Sequence, residues 1–432
     1  MLRKMTLMLF AAMLLGLCAC DGGNKPAPAE GGSFGAGGSG LIAVEYPDAP
    51  KFGDYDALNA LREANPVNEA FVASVRDFSY RTASAVLSSA QENANYSPLS
   101  LYFALSLAGT GAAGETQEQL FTLLGVSSAE ELSEQAGNLY RLLYADNEVT
   151  RLKIANSLWL DTDVAFREDF VQNAAVNFYA SAHTVDFSEA SSGEAMARWV
   201  SENSNGTLSP SFPPDPDKIL SILNTVYFYD QWTTAFSEGD TASGLFHAPD
   251  TDITIDFMNR GSTGSFSRGA GFTRASLGLK GSGSMTFVLP DEGVELSSLT
   301  ASPDSLRELF EGGEELYGEV LWKVPKFSFD ANYELADMLK TVGVTAAFET
   351  DADFSGITDI PACLSSVTQQ THIAIDEYGV EASASTELGF AATALPRERA
   401  DMFLDRPFLY AITDADGTPL FIGVCRNPSA QN

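Results

Sequence analysis

Apolar residues recur along this chain with two different periods, and the switch between them marks the elements. From Asn68 to Leu87, the positions Phe71, Val75, Phe78 and Ala85 fall at helical spacing. Tyr102 to Ala108 is a second, strongly apolar helical stretch, opened by Ser97-Pro98-Leu99-Ser100 with proline in the first turn. Met196 to Asn203 predicts a third helix, stopped by Asn205-Gly206, and Tyr333 to Thr341 a fourth, ended by Gly343. Strand-like runs are Ile219 to Tyr229, Ile253 to Met258, Ser284 to Leu289, Val320 to Val324 and Thr371 to Asp376. Near the C-terminus, Phe408 to Thr413 and Leu420 to Val424 flank an Asp416-Gly417 hairpin turn. There is no internal repeat and no regular βαβ period, which predicts an α+β fold with large sheets.

The N-terminal pattern is different. Arg3 and Lys4 precede an apolar run from Leu7 to Leu17, too short for a comfortable membrane span. The run ends in Leu17-Cys18-Ala19-Cys20, which looks like a lipobox with Cys20 as the lipidated residue and Leu17 at the expected third place upstream. An ordinary secretory peptide with incidental cysteines is the alternative. Either way residues 1–19 are expected to be a signal peptide. With Cys20 acylated, the protein would be lipid-anchored in a bacterial cell envelope, at the outer membrane or cell surface, or released from it. From Asp21 to about Pro50 the composition shifts to Gly, Ala, Pro and Ser, so residues 20–65 are expected to form a flexible tether reaching roughly 30 Å. Order is expected near Pro66, giving a folded domain over 66–432.

Composition narrows the picture. Hydrophobic residues make up 45% of 432, enough for a sizeable core. The formal charge of -33, or -35 without Arg3 and Lys4, argues against binding nucleic acid or other polyanions through a broad basic surface. Once Cys18 leaves and Cys20 is acylated, Cys363 and Cys425 remain. They are too few for a disulfide framework, and buried thiols or a single bridge both stay open. His183, His247 and His372 have no metal-ligand spacing and no Gly-x-Ser-x-Gly elbow beside them. No metal, no cofactor and no enzymatic activity are therefore expected.

The most informative segment runs from Glu377 to Thr393. Its even-numbered set, Val380, Ala382, Ala384, Thr386, Leu388, Phe390 and Ala392, is apolar, small or Thr. The odd set, Glu381, Ser383, Ser385, Glu387, Gly389 and Ala391, is polar or small. Such alternation belongs to a strand with one buried face. Yet Ala, Ser and Gly are poor strand formers. Small side chains suit a strand that slips between two existing strands. A surface Ala/Ser linker with chance alternation is the competing reading.

Here the residues resemble a family. Glu377-Tyr378-Gly379-Val380-Glu381-Ala382-Ser383-Ala384-Ser385-Thr386 looks like the hinge of a serpin, a serine-protease inhibitor. Other blocks agree in order: Asn95 to Ser100, Gly111 to Thr116, Ala155 to Trp159, Leu223 to Phe228 with Trp232, Val324 to Phe327, Asp353 to Gly356, Arg406 to Leu409, and Leu420 to Gly423 with Asn427-Pro428. The resemblance covers about residues 66 to 428. It implies the serpin fold, with three sheets, eight or nine helices and an exposed reactive-centre loop. It also implies a suicide-substrate inhibitor of serine, and also cysteine, endopeptidases, monomeric, that traps the acyl-enzyme by inserting the cleaved loop into the main sheet.

Family spacing puts the scissile bond sixteen residues after Glu377, at Thr393-Ala394. The small residues around it suit an elastase-like or subtilisin-like protease. Arg397 and Arg399, which a trypsin-like enzyme would need, come four and six residues too late. In the polar cluster beneath the sheet's opening point, Ser97, Ser100 and Asn224 match the family, while Gln369 stands where it commonly has His. Gln both donates and accepts but lacks the titration of His near neutral pH. Trp232 matches the aromatic residue beside the hinge. A non-inhibitory serpin-fold binding or adhesion lipoprotein is the alternative function. Such members usually carry Pro, charge or bulk on the inserting face, and Val380, Ala382, Ala384 and Thr386 carry none.

Overall fold

The computed structural model describes residues 8–19, 41–379 and 398–430. Cys20, most of the expected tether and the loop from Val380 to Arg397 lie outside the described residues.

In chain order the elements begin with strands β1 (Met8–Ala19) and β2 (Leu41–Ile42), then helices α1 (Tyr55–Ala64) and α2 (Glu69–Ser89). Next come β3 (Ala94–Tyr96), α3 (Pro98–Thr110), α4 (Gly114–Leu124), α5 (Ala129–Leu143), β4 (Ala145–Asp146) and β5 (Thr150–Asp161). The middle of the chain adds α6 (Glu168–Asn177), β6 (Ala180–Val185), α7 (Ala190–Asn203), β7 (Lys218–Asp230), β8 (Ala242–His247) and β9 (Asp252–Gly269). Then follow β10 (Phe272–Gly278), β11 (Ser284–Pro290), α8 (Leu296–Leu299), α9 (Pro303–Glu311), β12 (Glu314–Pro325) and β13 (Phe327–Glu334). The last are α10 (Ala336–Thr341), β14 (Ala362–Ile375), β15 (Glu398–Phe403), β16 (Phe408–Thr413) and β17 (Pro419–Cys425).

The main sheet has the order β13-β14-β1-β7-β5-β6-β2, with β4 on β5. The rest of the strands form one ladder, β15-β12-β9-β10-β11-β16-β17-β3, with β8 on β9. The 18-residue β9 pairs with β8 and β12 along its length and with β10 at its end. Two sheets of the fold thus share strands and run on from one another. Helix α3 lies beneath the main sheet, against β1 and β7. It is apolar all round and buried along nearly its whole length, as a helix enclosed on every side must be. Ser97 caps it, its Oγ accepting from the Ser100 amide at 3.3 Å, with Pro98 in the first turn.

Three segments carry structure that the sequence reading did not describe. Residues 41–65, expected as tether, carry β2 paired to β6 and helix α1. Asp54 caps α1 by accepting from the Ala57 amide, and the helix is built from good formers (Ala, Leu, Arg, Glu) without burying a single residue. Tyr333, expected in a helix, lies in β13, where Phe327, Phe329 and Ala331 alternate into the core; only Ala336–Thr341 is helical. The third segment is β1. The apolar run of the expected signal peptide lies in the main sheet between β14 and β7, antiparallel to both.

Candidate functional site

The hinge region hangs on the upper ends of β7 and β14. After Ile375 the chain turns through Asp376, Glu377, Tyr378 and Gly379. The Trp232 ring is buried here, and its Nε1 donates to the Asp376 carbonyl at 2.9 Å. The Phe236 amide donates to the Glu377 carbonyl at 2.8 Å. The Glu377 carboxylate accepts from Thr241 Oγ1 at 2.7 Å and pairs with Lys326 Nζ at 2.8 Å. Burial alone would raise its pKa, but these bonds outweigh it and hold the carboxyl below its ordinary value. Gly379 closes the turn at φ +74°, and a Cβ there would lie 2.5 Å from the Trp232 nitrogen. Only glycine meets both conditions.

Two buried carboxyls flank this turn. Asp230, at the end of β7, accepts from Thr150 Oγ1 at 3.0 Å and from the backbone amides of Gln231 and Gly281. Burial pushes its pKa up to about 7 against the pull of those hydrogen bonds and of Lys280. Asp376 is also pushed up to about 7, by burial first and then by the charges of Glu377 and Glu238, against the Tyr378 amide and Lys326.

Halfway down the sheet lies the polar cluster. Gln369 of β14 grips Ser97 at two points: its Oε1 accepts from the Ser97 amide at 3.0 Å, and its Nε2 donates to the Ser97 carbonyl at 2.9 Å. Ser97 Oγ donates to the Leu420 carbonyl at 2.9 Å. On the other side, Ser100 Oγ donates to Asn224 Oδ1 of β7, and Asn224 Nδ2 donates to Asn156 Oδ1 at 2.7 Å. The four expected residues are all fully buried, and the Ser100 amide, donating to Ser97 Oγ at 3.3 Å, joins the β14 side of the cluster to the β7 side. Met13 of β1 lies opposite both Gln369 and Asn224 in register and separates them.

Of the expected site residues, Glu377, Gly379, Trp232, Ser97, Ser100, Asn224 and Gln369 are thus placed in these two groups. Val380, Glu381, Ala382, Ser383, Ala384, Ser385, Thr386, Thr393 and Ala394, with Cys20 at the other end, lie outside the described residues. Arg399 is placed, and not in a loop. It belongs to β15, paired in parallel with β12, and its Nε contacts Asp401 at 2.7 Å. A bond after Arg399 is held in a strand rather than presented to a protease. Sequence reasoning missed Asp230, Asp376, Thr241 and Asn156. Their signal was weak: Asp230 and Asp376 close apolar runs and read as solvent-facing, Asn156 is one polar residue inside such a run, and Thr241 follows a polar stretch, Ser237 to Asp240. Cys363 and Cys425 are both free thiols, and burial pushes the Cys425 thiol well up. Among the described residues no cluster of His, Cys, Asp and Glu is arranged to hold a metal ion.

The comparisons with known proteins decide the family. The model described as Serpin (serine protease inhibitor) matches residues 73–428. The chain belongs to the serpin family. Among curated relatives, Serpin-Z1C of Triticum aestivum is 31% identical over 378 residues, covering 81% of this chain and 94% of that serpin. Serpin-Z7 of Hordeum vulgare is 30% identical, covering 82% of this chain and 96% of its own. Among solved structures, the thermophilic serpin tengpin in its native state is 25% identical with a TM-score of 0.74, covering 89% of this chain and 97% of that one. A complex of thyroxine-binding globulin with thyroxine superposes with a TM-score of 0.71 at 23% identity, over 83% of this chain and 99% of that one, a likeness of fold. The architecture is accordingly the serpin fold, α+β with three sheets, and nine helices, α2 to α10, follow Pro66 among the described residues. Serpins are in general protease inhibitors rather than enzymes.

Proposed function

We propose that this serpin is inhibitory and traps serine endopeptidases of elastase-like or subtilisin-like specificity at Thr393-Ala394. The observation that carries the reading is the geometry between β7 and β14. Both strands run antiparallel to the strand between them and therefore parallel to each other. A loop that leaves Ile375, turns at Gly379 and inserts would run antiparallel to β14, the polarity that this slot accepts. The alternating small residues of Val380 to Thr386 supply its core-facing side.

In this reading the protease's serine oxygen attacks the Thr393 carbonyl carbon. The amide to Ala394 breaks, its nitrogen leaves as the new amine with a proton from the protease, and an acyl-enzyme remains. Insertion of the severed loop then converts stored strain into sheet hydrogen bonds and carries the protease away from its geometry for deacylation. The serpin's own residues do no bond chemistry. Glu377, tied to Lys326 and Thr241, holds the pivot about which the loop swings. Cys20 would carry a lipid that anchors the protein in the cell envelope.

Incubation with an elastase should give a complex that survives denaturing electrophoresis, and the released C-terminal fragment should begin at Ala394. A fragment beginning at Glu398 would move the bait to Arg397. Complete cleavage without any complex would sink the inhibitory reading.

A further inference from the structure

The strand already in the slot is β1. Its register is continuous against β14 from Met8↔Ala374 to Ala19↔Ala362, and against β7 from Met8↔Tyr229 to Cys18↔Lys218, apart from one irregularity on each side. Met13, Leu15 and Leu17 are 1%, 0% and 1% exposed. They lie with the register partners of Met13 and Leu15, Gln369 and Val367 on β14 and Asn224 and Ile222 on β7, all buried. At the irregular point the strand has Gly16, whose Cβ would lie 3.0 Å from Ser365 Oγ, while Ser365 Oγ donates to the Gly16 carbonyl at 3.2 Å. Neighbouring strands lie about 4.8 Å apart, so the space between β7 and β14 holds one strand and no more. The inward amides and carbonyls of both edges are engaged by β1.

We infer that residues 8–19, while still attached, occupy the place the cleaved loop must take, so that the unprocessed chain is a protease substrate and becomes an inhibitor only when cut before Cys20. This inference rests on the inhibitory reading above. The strand ends at Ala19, so a cut between Ala19 and Cys20 removes all of β1 and nothing of the fold beyond it. A chain that folds after the cut has an open slot. One cleavage would then serve two ends, freeing Cys20 for lipid and freeing the slot for the loop.

The test uses the full chain with Cys20→Ser, made without export so that intact mass confirms residues 1–19, and the same chain with Leu15→Arg added. Leu15 is fully buried in β1, and an unpaired cation there expels the strand without altering β7, β14 or the loop. Amide exchange is read over residues 8–19, and moles of serpin consumed per mole of elastase or subtilisin silenced are read for both. The expected result is slow exchange of residues 8–19 and simple cleavage for the first chain. The second should show fast exchange there and a stoichiometry lower on the order of ten-fold or more. Fast exchange of residues 8–19 in the first chain overturns the inference. Equal trapping by both chains overturns it too and leaves the inhibitory reading standing. If neither chain traps although the exchange differs as expected, the inhibitory reading fails and this inference fails with it.

Discussion

Replacing Asp230 by Asn should remove about 2 kcal/mol from the stability that the protein gains between pH 8 and pH 5.5. The Asp230 carboxyl is 1% exposed, and burial raises its pKa from 3.8 to about 7. Between those values the folded state holds its proton while the unfolded chain has lost it. The stabilisation is therefore complete below pH 3.8 and is lost as pH rises through about 7. Each pH unit inside the window is worth about 1.4 kcal/mol, and the 1.5 units from 7 down to 5.5 give about 2 kcal/mol. Asp376 adds a contribution of the same sign, because its pKa is raised to a similar value. Glu377, held low, stays ionised throughout this range and adds no slope. Asparagine keeps one carbonyl oxygen for Thr150 Oγ1 and the Gln231 amide, and its amide group replaces the oxygen that faces the Gly281 amide. That exchange costs on the order of 1 kcal/mol at every pH, so it leaves the slope untouched. Urea midpoints followed by tryptophan fluorescence at both pH values give the slope for each protein. If the difference between wild type and Asp230→Asn is the same at pH 8 and pH 5.5, Asp230 is not protonated in the folded state and the reasoning is wrong.

Two further outcomes are expected. Ala384→Arg, on the small even-numbered face of the hinge, should turn the inhibitor into a substrate by demanding burial of an unpaired cation, at a cost of several kcal/mol. Ser383→Arg should be tolerated far better, and equal loss of trapping in both would refute the alternation. Cys20→Ala should release the protein into the soluble fraction after cell lysis, and unchanged membrane association refutes the lipid anchor.

The sequence made the hinge legible for a simple reason. Glu377 and Gly379 are forced by local geometry, a tethered turn and a positive φ beside Trp232, and such constraints leave residue-level marks. The strands and helices with one exposed face were equally legible, because exposure on one side writes a period into the chain, as in α2. The segment Met8–Ala19 has no such period. A strand buried among strands and the apolar core of an export signal have the same composition and the same length, so an uninterrupted apolar run fits both. Helix α1 was harder to read because its apolar side is short, Ala57, Leu58 and Leu61, and none of these residues is fully buried. Tyr333 was misread because the alternation of β13 passes directly into the first turn of α10, and the two periods overlap there. The place of Met13 between Gln369 and Asn224 depends on residues up to 356 positions apart and leaves no local trace.

The order of the strands in the main sheet differs from their order of synthesis, and this sets a clock. Everything that β1 needs to pair with β7 has been made once Asp230 leaves the ribosome, whereas β14 begins only at Ala362. At 5–20 residues per second, the intervening stretch of about 130 residues takes roughly 7–26 s to synthesise. Throughout that interval β7 has an open edge, and the nascent N-terminus is the apolar strand nearest to hand. On the proposed reading of residues 8–19 as a cleaved leader, pairing with β7 and delivery for cleavage would compete for the same twelve residues on a timescale of seconds. Delivery slower than that would fold the serpin around its own leader, as a substrate rather than a trap.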